Sequence, residues 1–224
     1  MYLGYDERND QYKIMRTMLP QDRSPENSVC TLRLGEQSSF SSWRRVESGK
    51  DYYFRMTNAL CINGVVYYDA QKNLSNSLVV IVSFDVASER LLVMEEPKEH
   101  SLIRLINYQG KLGCFCSTKD NGFSLWILDD AKKQIWSKAG VFSSSFCDSY
   151  RKLNLRTCGA TDVGEIIFVS RLSSGAYELF YYDLKKNNVS KRVKTRDISE
   201  DDEHRHRSTI FMHSCDHVEN IMSL

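Results

Sequence analysis

The sequence predicts an all-β fold built from a repeated unit of several short antiparallel strands. Three observations carry that expectation: an aromatic-rich composition with little proline, apolar runs of strand length separated by polar turns, and recurrence of one strand–turn–strand pattern along the chain. The 224 residues include 12 Tyr, 10 Phe and 3 Trp but only 11 Gly and 3 Pro, so Asn, Asp, Ser and Lys must carry most of the turn chemistry. A chain of this length buries a core without metals or cross-links, and a single domain over residues 1–224 is expected.

The chain opens with "GYDERNDQYKIMR", an aromatic and acid pair at Tyr5 and Asp6 leading straight into a strand, with a later strand around Trp43 in "SSFSSWRRVES". That is most of one unit without its beginning, and little polar slack precedes it. The first complete unit runs from "NGVVYY" through polar "DAQKNLSNS" to "LVVIVSFDV" and "SERLLVMEEP". The second runs from "QGKLGCFCS" through "TKDNG" to "FSLWILDD" and "AKKQIWSKAG", and the third from "VGEIIFVS" through "RLSSGA" to "YELFYYDL" and "KKNNVSKRV". The leading glycines Gly64, Gly110 and Gly164 lie 46 and 54 residues apart, and the acids Asp85, Asp129 and Asp183 lie 44 and 54 apart. A step of that size holding several short strands is one blade of a β-propeller, which makes the fold a partial propeller of about four to five four-stranded antiparallel blades. The wider second interval contains "VFSSSFCDSYRKLNLR", read as an insertion.

Within the unit, "VVIVSFDV" is too continuously apolar for a strand with a wet face, so it is expected to be buried on both sides. Phe84, Leu128 and Tyr182 then pack beside a turn, and Asp85, Asp129 and Asp183 close it by accepting a backbone N–H a few residues on. The glycines are expected at positive φ where the chain enters the unit, Asn63–Gly64 being the clearest tight-turn pair.

Thirty Lys and Arg balance 29 Asp and Glu, which removes the general drive toward nucleic acid or an anionic membrane. The seven cysteines, Cys30, Cys61, Cys114, Cys116, Cys147, Cys158 and Cys215, are an odd number without compact framework spacing, and read as reduced thiols of a cytoplasmic or nuclear protein. No apolar run reaches the roughly 18 residues of a membrane-crossing helix.

Glycine-rich phosphate loops, nucleophile elbows and the paired-histidine helix of metalloproteases do not occur. His204, His206, His213, Cys215 and His217 are the nearest approach to a metal set, but Arg205 and Arg207 sit among them and paired C-x-x-C spacing is missing, so a charged loop over 195–208 followed by a last strand is expected, with no metal or cofactor. Cys114 and Cys116 flank Phe115 on one strand face, too far apart for a relaxed disulfide. Glu95 with Glu96 and Asp129 with Asp130 point to opposite faces of a strand and are read as turn and surface residues. Trp126 and Trp136 flank the turn of one unit, and the doublets Tyr52–Tyr53, Tyr67–Tyr68 and Tyr181–Tyr182 are expected to place one ring inward and the other partly outward. Partner contact is expected on the polar connections "DAQKNLSNS", "STKDNG", "SSSFCDSYRK" and "RLSSGA", with no individual partner-binding residue assigned.

Taken in order, "GYDERNDQYKIMR", "SSWRRVES", "CINGVVYYDA", "IVSFDVASERL", "LINYQGKLGCF", "LWILDDAKKQIWSK", "GATDVGEIIFVS", "LFYYDLKKNNVSKRV" and "HVENIM" resemble the signatures of the plant F-box associated interaction domain, type 3. That resemblance implies a kelch-like propeller region, C-terminal to an F-box, of a substrate receptor in an SCF-type ubiquitin ligase. It implies a protein-binding module without catalysis, whose partner is a protein destined for ubiquitination; a Skp-type adaptor joins only through an F-box upstream. No helical F-box precedes "GYD" here, so a family member shortened at its N-terminus is expected, either a recruiting module or a decoy that holds targets without delivering them. A propeller enzyme or sugar-binding propeller is the alternative from another class.

Overall fold

The computed structural model describes residues 1–18, 26–33, 39–46, 52–54, 59–72, 78–97, 100–172 and 175–195. The chain divides into two compact units, Met1–Lys98 and Glu99–Leu224. Among the described residues no helix is long and apolar enough to cross a membrane.

The first unit holds two five-stranded antiparallel sheets. In one, β1 (Tyr2–Asp6), β2 (Gln11–Met18) and β3 (Glu26–Arg33) lie side by side, and β4 (Ser39–Phe40) and β5 (Arg44–Val46) both pair with β3. In the other, β6 (Tyr52–Phe54) and β7 (Leu60–Ile62) share the edge of β8 (Val65–Lys72), followed by β9 (Leu78–Asp85) and β10 (Arg90–Glu95). One core joins Met15, Val29 and Val46 of the first sheet to Val66, Tyr68, Val80, Val82 and Phe84 of the second. Gly4 marks how closely they approach: an added Cβ would lie 2.4 Å from Val86 Cγ2. As the apolar run predicts, β9 is buried on both faces from Val80 to Phe84.

The second unit holds two four-stranded sheets in simple sequential order. One contains β11 (His100–Tyr108), β12 (Lys111–Thr118), β13 (Phe123–Asp130) and β14 (Ile135–Val141). After helix α1 (Ser144–Lys152) comes the other, β15 (Arg156–Ala160), β16 (Glu165–Arg171), β17 (Tyr177–Asp183) and β18 (Asn188–Lys194). Its core is aromatic: Phe115, Phe123, Phe142, Phe146, Phe168, Phe180 and Tyr182. Phe146 lies 4.4 Å from Tyr182 and 4.8 Å from Phe168 between centroids, tilted in both cases, the offset geometry that ring quadrupoles favour.

The helix corrects the expectation that "SSSFCDSYRK" is a polar connection. Ser143 caps its start in an extended conformation, accepting a hydrogen bond from the Phe146 N–H, and Arg151 and Lys152 occupy its last turn, where cations suit the helix dipole. Phe146 and Tyr150, four residues apart, face inward together.

The repeat is visible in the backbone, and it shows the second acid to be misassigned. Four turns open on an acid and end four residues later in a left-handed residue: Asp6 and Asp10 (φ 48°), Asp85 and Glu89 (56°), Asp130 and Gln134 (53°), Asp183 and Asn187 (54°). Ser88 N donates to Asp85 Oδ1 (2.7 Å), Lys133 N to Asp130 Oδ1 (3.0 Å) and Lys186 N to Asp183 Oδ1 (3.1 Å). Asp130, rather than Asp129, is therefore the turn residue of the second unit, because a bulge between Leu128 and Asp130 advances the strand by one. Asp129 instead receives Lys111 Nζ at 3.1 Å. Phe84, Leu128 and Tyr182 are buried beside these turns, and Gly64, Gly110 and Gly164 all have φ between 73° and 86°. Asn63–Gly64 and Gln109–Gly110 are two-residue hairpin turns with both residues left-handed.

The first sheet uses the turn differently. In the other three sheets the acid turn joins the last two strands, whereas Asp6 joins β1 to β2, the first two, and β3 to β5 extend beyond them. Trp43 lies just before β5 rather than within a strand; Arg16 covers its ring at 4.2 Å.

Candidate protein-interaction surface

In the second unit, the expected partner connections gather at one end. The turn after β12 and the turn after β16 lie at the end opposite the acid turns, as the antiparallel pairing of β12 with β13 and of β16 with β17 requires. Thr118 organises the first: its carbonyl accepts Asn121 N (3.2 Å), its hydroxyl accepts Gly122 N (3.0 Å), and its own N–H donates to Gly122 O (3.0 Å), leaving Lys119 to Asn121 exposed. Leu172 N to Ala176 O (2.8 Å) closes the second. Helix α1 lies over the same end, since β14 runs toward it and Phe142 N donates to Phe123 O (3.0 Å) while Ser170 Oγ donates to Leu153 O (2.7 Å). Arg151 reaches over the Phe123 ring at 5.3 Å.

This end has a fixed base and a polar top. Phe146 and Cys147 are buried beneath it, while Ser144, Ser145, Asp148, Arg151 and Lys152 are exposed. Ser143 is held from below by Tyr182, whose hydroxyl accepts the Ser143 N–H (3.0 Å) and donates to Asn187 Oδ1 (2.6 Å). Sequence reasoning missed the helix, although its signal was present: a Ser cap, Phe142, Phe146 and Tyr150 at four-residue steps, and basic residues last. "DAQKNLSNS" places Asp69 to Lys72 in β8, and its remainder lies outside the described residues, as do the 196–208 part of the charged loop, the expected last strand and His204, His206, His213, Cys215 and His217.

The aromatic doublets sort as expected where described. Tyr68 and Tyr182 are buried; Tyr67 and Tyr181 are half-buried, the latter under Lys191 Nζ at 5.3 Å. The Tyr52 and Tyr53 side chains lie outside the described residues. Trp126 and Trp136 are half-buried, with Lys138 Nζ 5.2 Å above Trp126. Cys114 and Cys116 are buried and not joined in a disulfide. Among the described residues no three His, Cys, Asp or Glu side chains converge on a point.

Among the described residues, the most buried charges are in the first unit. Lys13, 4% exposed, lies between Asp6 Oδ2 (3.2 Å) and Glu89 Oε1 (3.0 Å), and donates to Val86 O (2.7 Å) and Ala87 O (3.3 Å). Arg44 closes the far side, with Nε 2.8 Å from Glu89 Oε2, a second contact from Nη2 to Oε1, and Nη2 3.0 Å from Thr31 Oγ1. Burial pushes the Asp6 carboxyl up, but hydrogen bonds from Asn9, Gln11 and Lys13 and the Lys13 charge outweigh it and hold the group down at about 2. The Arg44 hydrogen bond lowers Glu89 despite its partial burial. Every charge has a partner, so the cluster acts as a clamp tying the acid turn of one sheet to that of the next.

Over residues 1–218 the chain matches the F-box associated beta propeller domain. The chain belongs to this family. Its four blade-sized antiparallel sheets make it a partial β-propeller. It is 32% identical over 248 residues to F-box protein At1g30790 of Arabidopsis thaliana, covering 99% of this chain and 61% of that protein. F-box protein At5g65850 of the same plant is 33% identical over 200 residues, covering 84% of this chain and 48% of the relative. At1g46984 is 35% identical over 226 residues, all of this chain and 55% of its own length. The chain thus spans about half to three-fifths of the relatives it matches.

Proposed function

We propose that residues 1–224 form the target-recruiting domain of an SCF-type ubiquitin-ligase receptor, a protein-binding module without catalysis that works in the cytoplasm or nucleus. The observation that carries this reading is the family match over residues 1–218 together with relatives named as F-box proteins. Two structural features support it. Asp85, Asp130 and Asp183 are committed to turns, and Asp6 and Glu89 to the Lys13 clamp, so these acids are structural. Meanwhile α1 and the turns beside it present varied polar groups on an aromatic base, the arrangement in which loops change without disturbing the scaffold.

In this reading the target binds at the α1 end of the second unit. The test joins the chain to an F-box, identifies proteins cross-linked to it in plant cells, and measures direct binding and half-life for each candidate. A target that binds the purified chain and is degraded faster in its presence is expected. Failure of every cross-linked protein to bind directly, or an unchanged half-life for those that do, would refute the recruiting role.

A further inference from the structure

Balanced overall charge conceals a local cationic excess. From His100 to Thr195 the sequence carries 15 Lys and Arg against 8 Asp and Glu, and the excess concentrates on β18 and the turn before it: Lys185, Lys186, Lys191, Arg192 and Lys194. Lys186 is paired with Asp183 (3.3 Å). Among the described residues, no carboxylate lies within ion-pair distance of the other four. Lys191 and Arg192 lie over the rings of Tyr181 and Phe180 at 5.3 and 5.1 Å; these rings face opposite sides of β17, so cations flank the strand on both faces.

Among the described residues β18 is also the last strand of its sheet and pairs only with β17. Thr195 N donates to Tyr177 O at 2.8 Å, which turns the backbone of Thr195 and, by the two-residue period of the ladder, of Val193 toward β17. The N–H and C=O groups of Arg192 and Lys194 are left on the outer edge, where no strand among the described residues pairs with them. Edge lysines normally discourage strand pairing by repelling other strands; the same charges select a strand that carries the opposite sign.

We propose that the outer edge of β18, unpaired among the described residues, takes an acidic extended peptide of a partner protein as a fifth strand, its carboxylates meeting Arg192 and Lys194 on one face and Lys191 on the other. This rests on reading the chain as a protein-binding module and names one kind of partner segment.

The test is fluorescence anisotropy with the purified full chain and labelled peptides of about twelve residues, about twice a typical strand. An alternating Thr-Glu peptide is compared with an alternating Pro-Glu peptide, which cannot donate to a ladder, and with a thymidine oligonucleotide of similar charge. The Thr-Glu peptide is expected to bind at least about tenfold more tightly than either, and Arg192→Glu with Lys194→Glu to abolish the difference. Lys194→Pro removes an outward N–H that an edge strand can spare, and should weaken binding more than Lys194→Gln, with unchanged circular dichroism melts for both. Equal binding of the Pro-Glu peptide or the oligonucleotide would overturn the proposal in favour of a general polyanion surface. Dimerisation of the free chain that Lys194→Pro blocks would overturn it in favour of a second copy. A target identified through the F-box fusion that binds equally well to the charge-reversed variant would remove the β18 site while leaving the recruiting role standing.

Discussion

Replacing Lys13 by Met should be among the most damaging single changes to the first unit. The methionine fills most of the lysine volume, so packing changes little, but two carboxylates lose their shared cation and two turn carbonyls lose a donor. With Lys13 4% and the Asp6 side chain 0% exposed, Asp6 becomes an uncompensated buried charge. Removing one partner of a buried pair costs about 3–5 kcal/mol, and a chain of this size loses roughly 2–4 °C of melting temperature per kcal/mol, giving a drop of about 6–20 °C. Lys111→Met is the control, since its pair with Asp129 is 59% and 38% exposed and such surface pairs contribute about 0–1 kcal/mol. Urea titrations and thermal melts of both variants decide the matter, and Lys13→Met combined with Asp6→Asn should recover part of the loss. Equal destabilisation by the Lys13 and Lys111 variants would refute the clamp.

The same cluster sets an acid limit: the depressed Asp6 carboxyl contributes stability fully above its ordinary value near 4, and this is lost as pH falls toward about 2. Acid unfolding of the wild type should therefore steepen across that window, and Asp6→Asn should flatten it in melts recorded from pH 5 to 2. In the second unit, Phe146→Ala should cost about 3–5 kcal/mol, because that ring meets Phe142, Phe168 and Tyr182; a loss below about 1 kcal/mol would mean the helix is not anchored by it.

Strands and their period were legible because burial on both faces of β9 and the glycine-led hairpins follow from short-range patterns. Period alone could not tell Asp129 from Asp130, since a bulge shifts the strand by one residue without changing its apolar run. The helix was obscured by three serines that read as a loop, although a serine cap and two rings four residues apart specify a short helix. The Lys13 clamp was invisible for a different reason. Its members are as far apart in the chain as Asp6 and Glu89, and nothing local to Lys13 says that it will be enclosed. The cationic excess of β18 was hidden by summing over the whole chain, which let acids outside that strand, Asp197 and Glu200 to Glu203 among them, cancel its charge.

The four acid-led turns carry a consequence for how such chains diversify. Asp, Glu, Gln and Asn occupy one backbone state in the four copies, so that state is imposed by the hydrogen bonds of the leading acid and by the flanking ladder, with little say left to the tip residue. The tips nonetheless carry side-chain contacts of their own, Asp10 with Tyr5, Glu89 with Lys13 and Arg44, and Asn187 with Tyr182, so each corner can hold a different side-chain contact while the path of the chain stays put. A scaffold whose corners accept different letters can give each corner its own task without being rebuilt.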